Sequence, residues 1–482
     1  MKAFGVFDQH QDIGDPKPAG NAVYNPTDQT YTLSGAGANL RTTLDQIHFA
    51  WKKITGDFIV QATVRFIGTG THPRVELGII ACDALIGTSR YAAACVHGDS
   101  LTSLQYRATD GQAPAHIDVS SFHPTEIQFA RTGNRFTFSS AVFGENYRAV
   151  SHELALNDEL HVGLFSCSHE QGLVAHAVFS NVRVIIPAAP DFKPYSDYLG
   201  SHLEVMDIAT GLRKVLHSEP GSIQAPNWTR DDKLIYNSAA GVMYTYDLAS
   251  GEIAELNTGR CRQNNNDHVL SFDGTMLALS NYAGDPRRSV AFILPAGGSD
   301  EPQQITSPEV GHTYLHGWSP DGKKLVFTGG RKGETGNYRN LWSVDVDTKV
   351  ETAITPPGTL DDGPEYTPDG KYIYFNSVRT GTMQIWRMRP DGSQPEQVTF
   401  DEYNDWFPHI SPDGKWIVYI AFPTDMDPWS HPFYRQCYIR LMPTSGGVPK
   451  TIAYLYGGQG SMNTPGWSPD SKRIAFATNS KL

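Results

Sequence analysis

One short pattern recurs in phase along the second half of the chain, and it leaves few folds open. Residues 318–327 read WSPDGKKLVF, 366–375 YTPDGKYIYF, 410–419 ISPDGKWIVY and 467–476 WSPDSKRIAF. Looser copies are 228–236 (WTRDDKLIY) and 270–279 (LSFDGTMLAL). The anchor aspartates stand at 231, 273, 321, 369, 413 and 470. In the clearest copies an apolar strand enters, Pro-Asp-Gly turns it, and an alternating strand leaves, because Pro presets φ and Gly accepts φ > 0. A second pair follows, as in residues 383–388 (MQIWRM), the turn Pro390-Asp391-Gly392-Ser393 and residues 396–399 (EQVT). Four strands per ~45 residues make one blade of a β-propeller, and six anchors predict six blades. The last anchor is followed by only twelve residues, enough for one more strand. Residues 202–216, HLEVMDIATGLRKVL, match the second half of a blade and are expected to complete the last one and close the ring.

The first half has a different texture. Residues 57–66 (DFIVQATVRF) alternate apolar and polar, 75–82 (VELGIIAC) follow a turn, and 126–140 read as a hairpin around Arg131-Thr132-Gly133-Asn134. Residues 160–167 and 174–186 supply further strands, and helical periodicity is almost absent. Many short strands in ~165 residues predict a two-sheet sandwich or jelly roll. Pro187, Pro190 and Pro194 mark a stiff, extended linker. The expected division is therefore a sandwich over 1–186, a linker over 187–200 and a propeller over 201–482.

Composition removes several function classes. Asp and Glu exceed Lys and Arg by 51 to 39, which disfavours nucleic acid and anionic membrane as partners. No apolar stretch is long enough to span a bilayer. The five cysteines form no CxxC pair, so a zinc knuckle or redox motif is not expected. There is no GxSxG, P-loop or HExxH. The start, MKAFGVFDQHQDIG, lacks the apolar region of a signal peptide, so the chain is either cytoplasmic or acts in the periplasm or outside the cell with its signal absent from this sequence.

The WSPDGKKLVF-type repeats resemble those of the TolB-like six-bladed propellers over about residues 200–482. Residues 399–414 (TFDEYNDWFPHISPDG) and 457–460 (GGQG) look like a subgroup from carbohydrate-degrading bacteria. Residues 47–66 and 102–107 resemble concanavalin-like jelly rolls. True TolB has an N-terminal domain that this chain lacks, and the ExDxxE strand motif of concanavalin-like glucanases is absent. The resemblance thus implies an all-β protein whose first domain is non-catalytic, a glycan-binding or docking module. Its exposed candidates are Trp51, His48 and Arg107, with Trp51 fitting the core better.

Propeller sites sit at a channel mouth, which directs attention to the residues just before each anchor: Asn227, His268, His316, Glu365, His409 and Gly466. His268, His316, His409 and Glu365 form a competent set for one divalent metal (Mn, Ca or Zn), and the same residues could equally bond neighbouring blades. His316, in LHGWSPDG, also looks like the metal-bearing repeats of oligogalacturonate lyase propellers. That resemblance implies a metal, a His base, and Arg331 or Arg379 on a sugar carboxylate. Asn404, Asp405, Trp406, Trp429 and His431 combine amide, carboxylate and aromatic groups and are the expected carbohydrate-binding residues, although either tryptophan could instead pack between blades. Asp361-Asp362 fits either a solvated loop or a carboxylate set at the mouth, and Asn264 to Asp267 either a turn or hydroxyl contacts. Two functions follow. One is extracytoplasmic glycan degradation, by a lyase or a glycosidase, at the propeller mouth. The other is a non-catalytic scaffold binding glycan or protein partners on the propeller face.

Overall fold

The computed structural model describes residues 4–37, 40–68, 73–120, 123–331 and 339–482. It is all-β and divides into two compact units, Met1–Pro187 and Ala188–Leu482. Among the described residues no helix is long and apolar enough to cross a membrane.

The first unit is a sandwich of two seven-stranded antiparallel sheets. One carries, in order, Gln9–Ile13, Ile47–Thr55, Glu159–Cys167, Glu76–Cys82, Tyr91–His97, Thr102–Arg107 and Ala115–Val119. The other carries Arg148–Glu153, Arg135–Ala141, Glu126–Thr132, Phe58–Ile67, Glu170–Ile185, Thr30–Gly37 and Asn21–Asn25. Alternation drives the packing: Phe58, Val60, Ala62 and Val64 share one face and join Leu77, Ile79, Phe129 and Phe136 in the core. The hairpin expected at Arg131 to Asn134 forms, with Thr132 opposite Arg135.

Arg107 and His48, exposed candidates of this unit, are buried instead, and Trp51 takes the core position that was its other reading. Arg107 is wholly enclosed, paired with the Asp45 carboxylate through both terminal nitrogens (Nη2 to Oδ1, 2.8 Å) and donating to four backbone carbonyls, those of Thr42, Gly87, Ser89 and Gln112. Trp51 packs with Phe49, Ile80 and Phe165, and His48 is held by Asp12 at 2.7 Å. A buried guanidinium needs this many acceptors to offset its lost hydration, so Arg107 is structural.

The second unit is the six-bladed propeller. Five blades have four strands each, with inner strands Ile223–Trp228, Asn264–Leu270, Tyr314–Trp318, Asp361–Tyr366 and Asn404–Ile410. The sixth is built from Arg473–Asn479, Ser201–Asp207 and Arg213–Glu219, with Trp467 bridging Ile474 on its inner side. Both ends of the propeller chain thereby meet in one sheet. Glu204 is buried there, 3.0 Å from Arg213 Nη2, and also accepts from Thr478 Oγ1 at 2.7 Å. Residues 188–200 lie against this unit rather than spanning free space. Ala188 N–H donates to the Tyr456 hydroxyl, Leu199 N–H donates to that of Tyr434, and Tyr195 rests edge-on against Phe433.

The repeat motif is a hydrogen-bonded turn. Ser319 Oγ donates to Asp321 Oδ1 (2.6 Å), Lys323 N–H donates to the same oxygen, and Lys324 N–H donates to Ser319 Oγ. The residue after the aspartate is left-handed in all six copies: Gly274, Gly322, Gly370 and Gly414, but also Asp232 (φ 56°) and Ser471 (φ 60°). Those two non-glycines have side-chain compensation, since Asp232 accepts from Trp228 Nε1 at 2.9 Å and Ser471 Oγ accepts from Asp413 N–H at 3.0 Å. The motif's tryptophans also pin neighbouring blades, as Trp318 Nε1 donates to Val269 O and Trp467 Nε1 to His409 O, both at 3.1 Å.

Two stability outcomes are expected. At Gly322 (φ 71°) an added Cβ meets nothing within 4 Å, so only backbone strain opposes it. Gly322→Ala should lower the urea midpoint by the equivalent of about 1–2 kcal/mol, with Gly322→Asn milder. Arg213→Ala leaves Glu204 buried without its cation and should cost about 3–5 kcal/mol, measured by chemical denaturation of the full chain.

Candidate functional site

The geometry of the mouth begins with a fault in each inner strand. Pairing with the second strand slips between Gln224 and Asn227, Asn264 and His268, Leu315 and Gly317, Asp362 and Glu365, and Trp406 and His409. Prolines account for part of this. Pro226, Pro364, Pro408 and Pro465 all stand five residues before their anchor aspartate and have no N–H for the ladder. In three of these blades the preceding residue is left-handed: Ala225 (φ 51°), Gly363 (φ 60°) and Phe407 (φ 55°). A bulge bends the strand and re-aims the side chains ahead of it. Five of the six residues seven before the anchors, Gln224, Asn266, Tyr314, Asp362 and Asn463, accordingly line one cavity, while the sixth, Trp406, is enclosed.

That cavity measures about 1050 Å³. Amides from the first, second and sixth blades form one side. Tyr195, Tyr198, Trp429 and Phe433 present rings on another. Arg339 lies over the Tyr314 ring at 4.9 Å and Arg287 over Tyr282 at 4.5 Å.

A carboxylate and two imidazoles occupy the centre. Asp362 Oδ1 is 3.2 Å from His316 Nε2, and its Oδ2 is 3.9 Å from His431 Nε2. Burial opposes ionisation of Asp362, but the hydrogen bond and charge of His316 prevail and hold its pKa well below the usual carboxylate range. Burial likewise opposes protonation of His316, and the Asp362 hydrogen bond with the Asp267 and Asp362 charges outweighs it, raising the pKa. Burial raises Asp267 to about 6, with His316 opposing and Asp362 reinforcing. Burial lowers His431, with the Asp362 charge opposing. Phe407 is wedged between the imidazoles, its ring 5.6 Å from that of His316 and 5.1 Å from that of His431. The Asn376 side chain, accepting from Phe407 N–H at 3.0 Å, helps hold its left-handed backbone.

Of the residues expected from sequence, His316, Trp429 and His431 line this cavity, and so do Asp362 and Asn264 to Asp267, which were weighed as a carboxylate set and as hydroxyl contacts. The remaining candidates do not. His268 is fully buried, and burial lowers its pKa to about 4, so it is neutral at pH 7. His409 Nδ1 faces Glu365 Oε2 at 2.8 Å and its Nε2 faces Met462 O at 3.0 Å, which leaves neither nitrogen for a metal. Glu365 also accepts from Ile410 N–H. Arg331 is bound to Glu351 (2.7 Å) beneath Phe327 and Trp342, and Arg379 to Asp361 (2.9 Å) against Phe375 and Trp386. Asn404 bonds Met383 N–H and Met426 O. Asp405 is buried, 3.7 Å from Arg440, and burial pushes its pKa well up. Trp406 is enclosed behind His431, 4.4 Å from its ring.

The proposed metal set is therefore not assembled: His268, His316, His409 and Glu365 do not converge, and among the described residues no three His, Cys, Asp or Glu side chains are arranged to hold an ion. The reason is phase. His268 and His316 stand five before their anchors and Glu365 and His409 four before, and neighbouring residues on a strand point to opposite faces. Gln459, Asn463 and Arg339 were not read as site residues. The recurring proline five before the anchor was the available signal, since it marks the bulge and moves the mouth-facing position upstream.

Comparison with known proteins agrees with this frame. Residues 299–426 match the TolB beta propeller domain (PD40). The uncharacterized protein Atu1656 of Agrobacterium fabrum is 40% identical over 277 residues, 57% of this chain and 91% of that protein. A solved TolB-like structure from Agrobacterium tumefaciens is 38% identical, with a TM-score of 0.54, covering 59% of this chain and all of that one. The Tol-Pal system protein TolB of Francisella tularensis is 27% identical over 241 residues, 48% of this chain and 53% of TolB. Through its second unit, the chain belongs to the TolB-like β-propeller family.

Asp362 raises the His316 pKa by both its hydrogen bond and its charge. In Asp362→Asn the opposing effect of burial should dominate, and the His316 pKa should fall below its wild-type value, read by NMR titration of the histidine rings.

Proposed function

We propose that the propeller mouth binds an oligosaccharide and is where that glycan is degraded, in the periplasm or outside the cell. The lining carries this reading. Sugars present hydroxyls that pair with amides and carboxylates and C–H faces that rest on aromatic rings. Asn264, Asn265 and Asn266 supply the first, and Tyr195, Tyr198 and Trp429 the second. The cavity volume suits several sugar units. Acid–base chemistry is supported by Asp267, raised to about 6, beside the ionised Asp362.

A second reading, a non-catalytic scaffold for protein partners, is favoured by the likeness to a relative named a Tol-Pal system protein. The chain spans about half of that relative.

Calorimetric titration with neutral and uronic-acid oligosaccharides separates the two. Trp429→Ala should weaken glycan binding about tenfold, the equivalent of one lost aromatic face. Product analysis by reducing ends and by unsaturated-uronate absorbance distinguishes hydrolysis from elimination. No saturable binding by any glycan would leave the scaffold reading.

A further inference from the structure

We infer that His431 presents the lone pair of Nε2 to the mouth cavity as the site's proton acceptor, and that Gln459 and Asn463 set this polarity from the Gly460 backbone amide. The inference rests on the mouth being the working site and adds the roles of these residues.

The polarity follows bond by bond. A backbone N–H can only donate. Gly460 N–H donates to Asn463 at 2.7 Å, so the accepting atom is Oδ1 and the other is the amide nitrogen. Asn463 Nδ2 donates to Gln459 at 2.8 Å, which makes the facing atom Oε1. The Gln459 Nε2 is then free to face Asn266 Oδ1, at 3.3 Å. Gln459 Oε1 also meets His431 Nδ1 at 2.7 Å. A ring nitrogen against a carbonyl oxygen must carry the proton, so neutral His431 is the Nδ1–H tautomer and its lone pair is on Nε2. That lone pair lies 3.9 Å from Asp362 Oδ2, beyond hydrogen-bond range, so Nε2 is left to accept from a ligand hydroxyl in the cavity.

Three charged groups face the ring: Asp362, His316 and Arg339. Burial, with the Arg339 and His316 charges, outweighs the attraction of Asp362 and keeps the imidazole neutral near pH 7. Trp406 and Phe407 stand edge-on to it at 4.4 and 5.1 Å and fix its plane. On transfer, the ligand O–H bond breaks, an Nε2–H bond forms, and the electron pair stays on the ligand oxygen. The resulting imidazolium has Gln459 Oε1 on one side and the Asp362 carboxylate on the other, as a general base requires. Gln459 and Asn463 touch no ligand in this scheme. They act as positioning residues.

The test is the ring's own ¹⁵N spectrum. Full-length protein labelled with ¹⁵N-histidine is recorded at pH 7, with His431 assigned by the signals lost in His431→Gln. The wild type should show Nδ1 with a pyrrole-type and Nε2 with a pyridine-type shift. Asn463→Asp keeps the Gly460 bond but replaces the donor with a second acceptor. The Gln459 amide should turn over, and the two His431 shifts should exchange. Gln459→Met, which removes the acceptor without changing polarity elsewhere, should reduce the Nδ1–H preference. A wild-type ring protonated at Nε2, or a folded Asn463→Asp protein with an unchanged tautomer, overturns the proposal. Expected tautomers without glycan binding would uphold the relay and sink the carbohydrate reading. Glycan binding with a wild-type Nε2–H ring would do the reverse.

Discussion

Ring closure is the constraint from which the working half of this protein follows. Ser201–Asp207 enters the sheet between Arg473–Asn479 and Arg213–Glu219, so the two ends of the propeller chain become hydrogen-bonded neighbours instead of exposed edges. Register there is set by charge: Glu204 lies opposite Phe476 and meets Arg213 and Thr478 inside the blade. A slip of one residue would turn Glu204 to the other face and strand its charge. Closure also builds the mouth. Ala225 N–H donates to Gly460 O, and Asn227 Nδ2 donates to Thr464 Oγ1 and Pro465 O. Residues 459–466 are thereby laid beside the first blade, bringing Gln459 and Asn463 to the cavity.

The blades were legible because each repeat is a local device. A Ser or Thr two residues before an Asp, followed by a residue able to take φ > 0, closes a turn wherever it occurs, and its period counts the sheets. Even the degenerate copies obey this, with Asp232 and Ser471 taking the left-handed position that glycine holds elsewhere. The site was less legible because its side-chain phase depends on where a ladder fails. Counting back from the anchors as though the inner strands were regular selects His268, Glu365 and His409. The bulges displace the cavity-facing position to residues such as Asn266, Tyr314 and Asp362. Trp429 and His431 were found because they lie in an insertion that the repeat does not account for.

The sandwich shows the opposite error. Polar residues such as Arg107 and His48 read as surface groups because nothing local announces a partner. Their partners come from far along the chain: Asp45 lies 62 residues before Arg107, and Asp12 lies 36 before His48. A buried ion pair is invisible to periodicity, since alternation reports which face a residue takes and not whether that face is covered.

The irregularities at the mouth have a common physical logic. A propeller made only of regular blades would close its axis with well-paired strands and present the same side-chain type from every repeat. Here Phe407 holds a backbone angle that suits glycine, Asp267 is buried without a cation bonded to it, and Asp362 draws two imidazoles toward one carboxylate. Each is unfavourable alone and is tolerated because six packed blades fix the surrounding backbone. The same rigidity lets a backbone amide at Gly460 dictate, through two side-chain amides, which nitrogen of His431 carries a proton. In a flexible loop either amide could turn over at little cost and the polarity would average out. Held by the closed ring, it becomes a fixed property of the site.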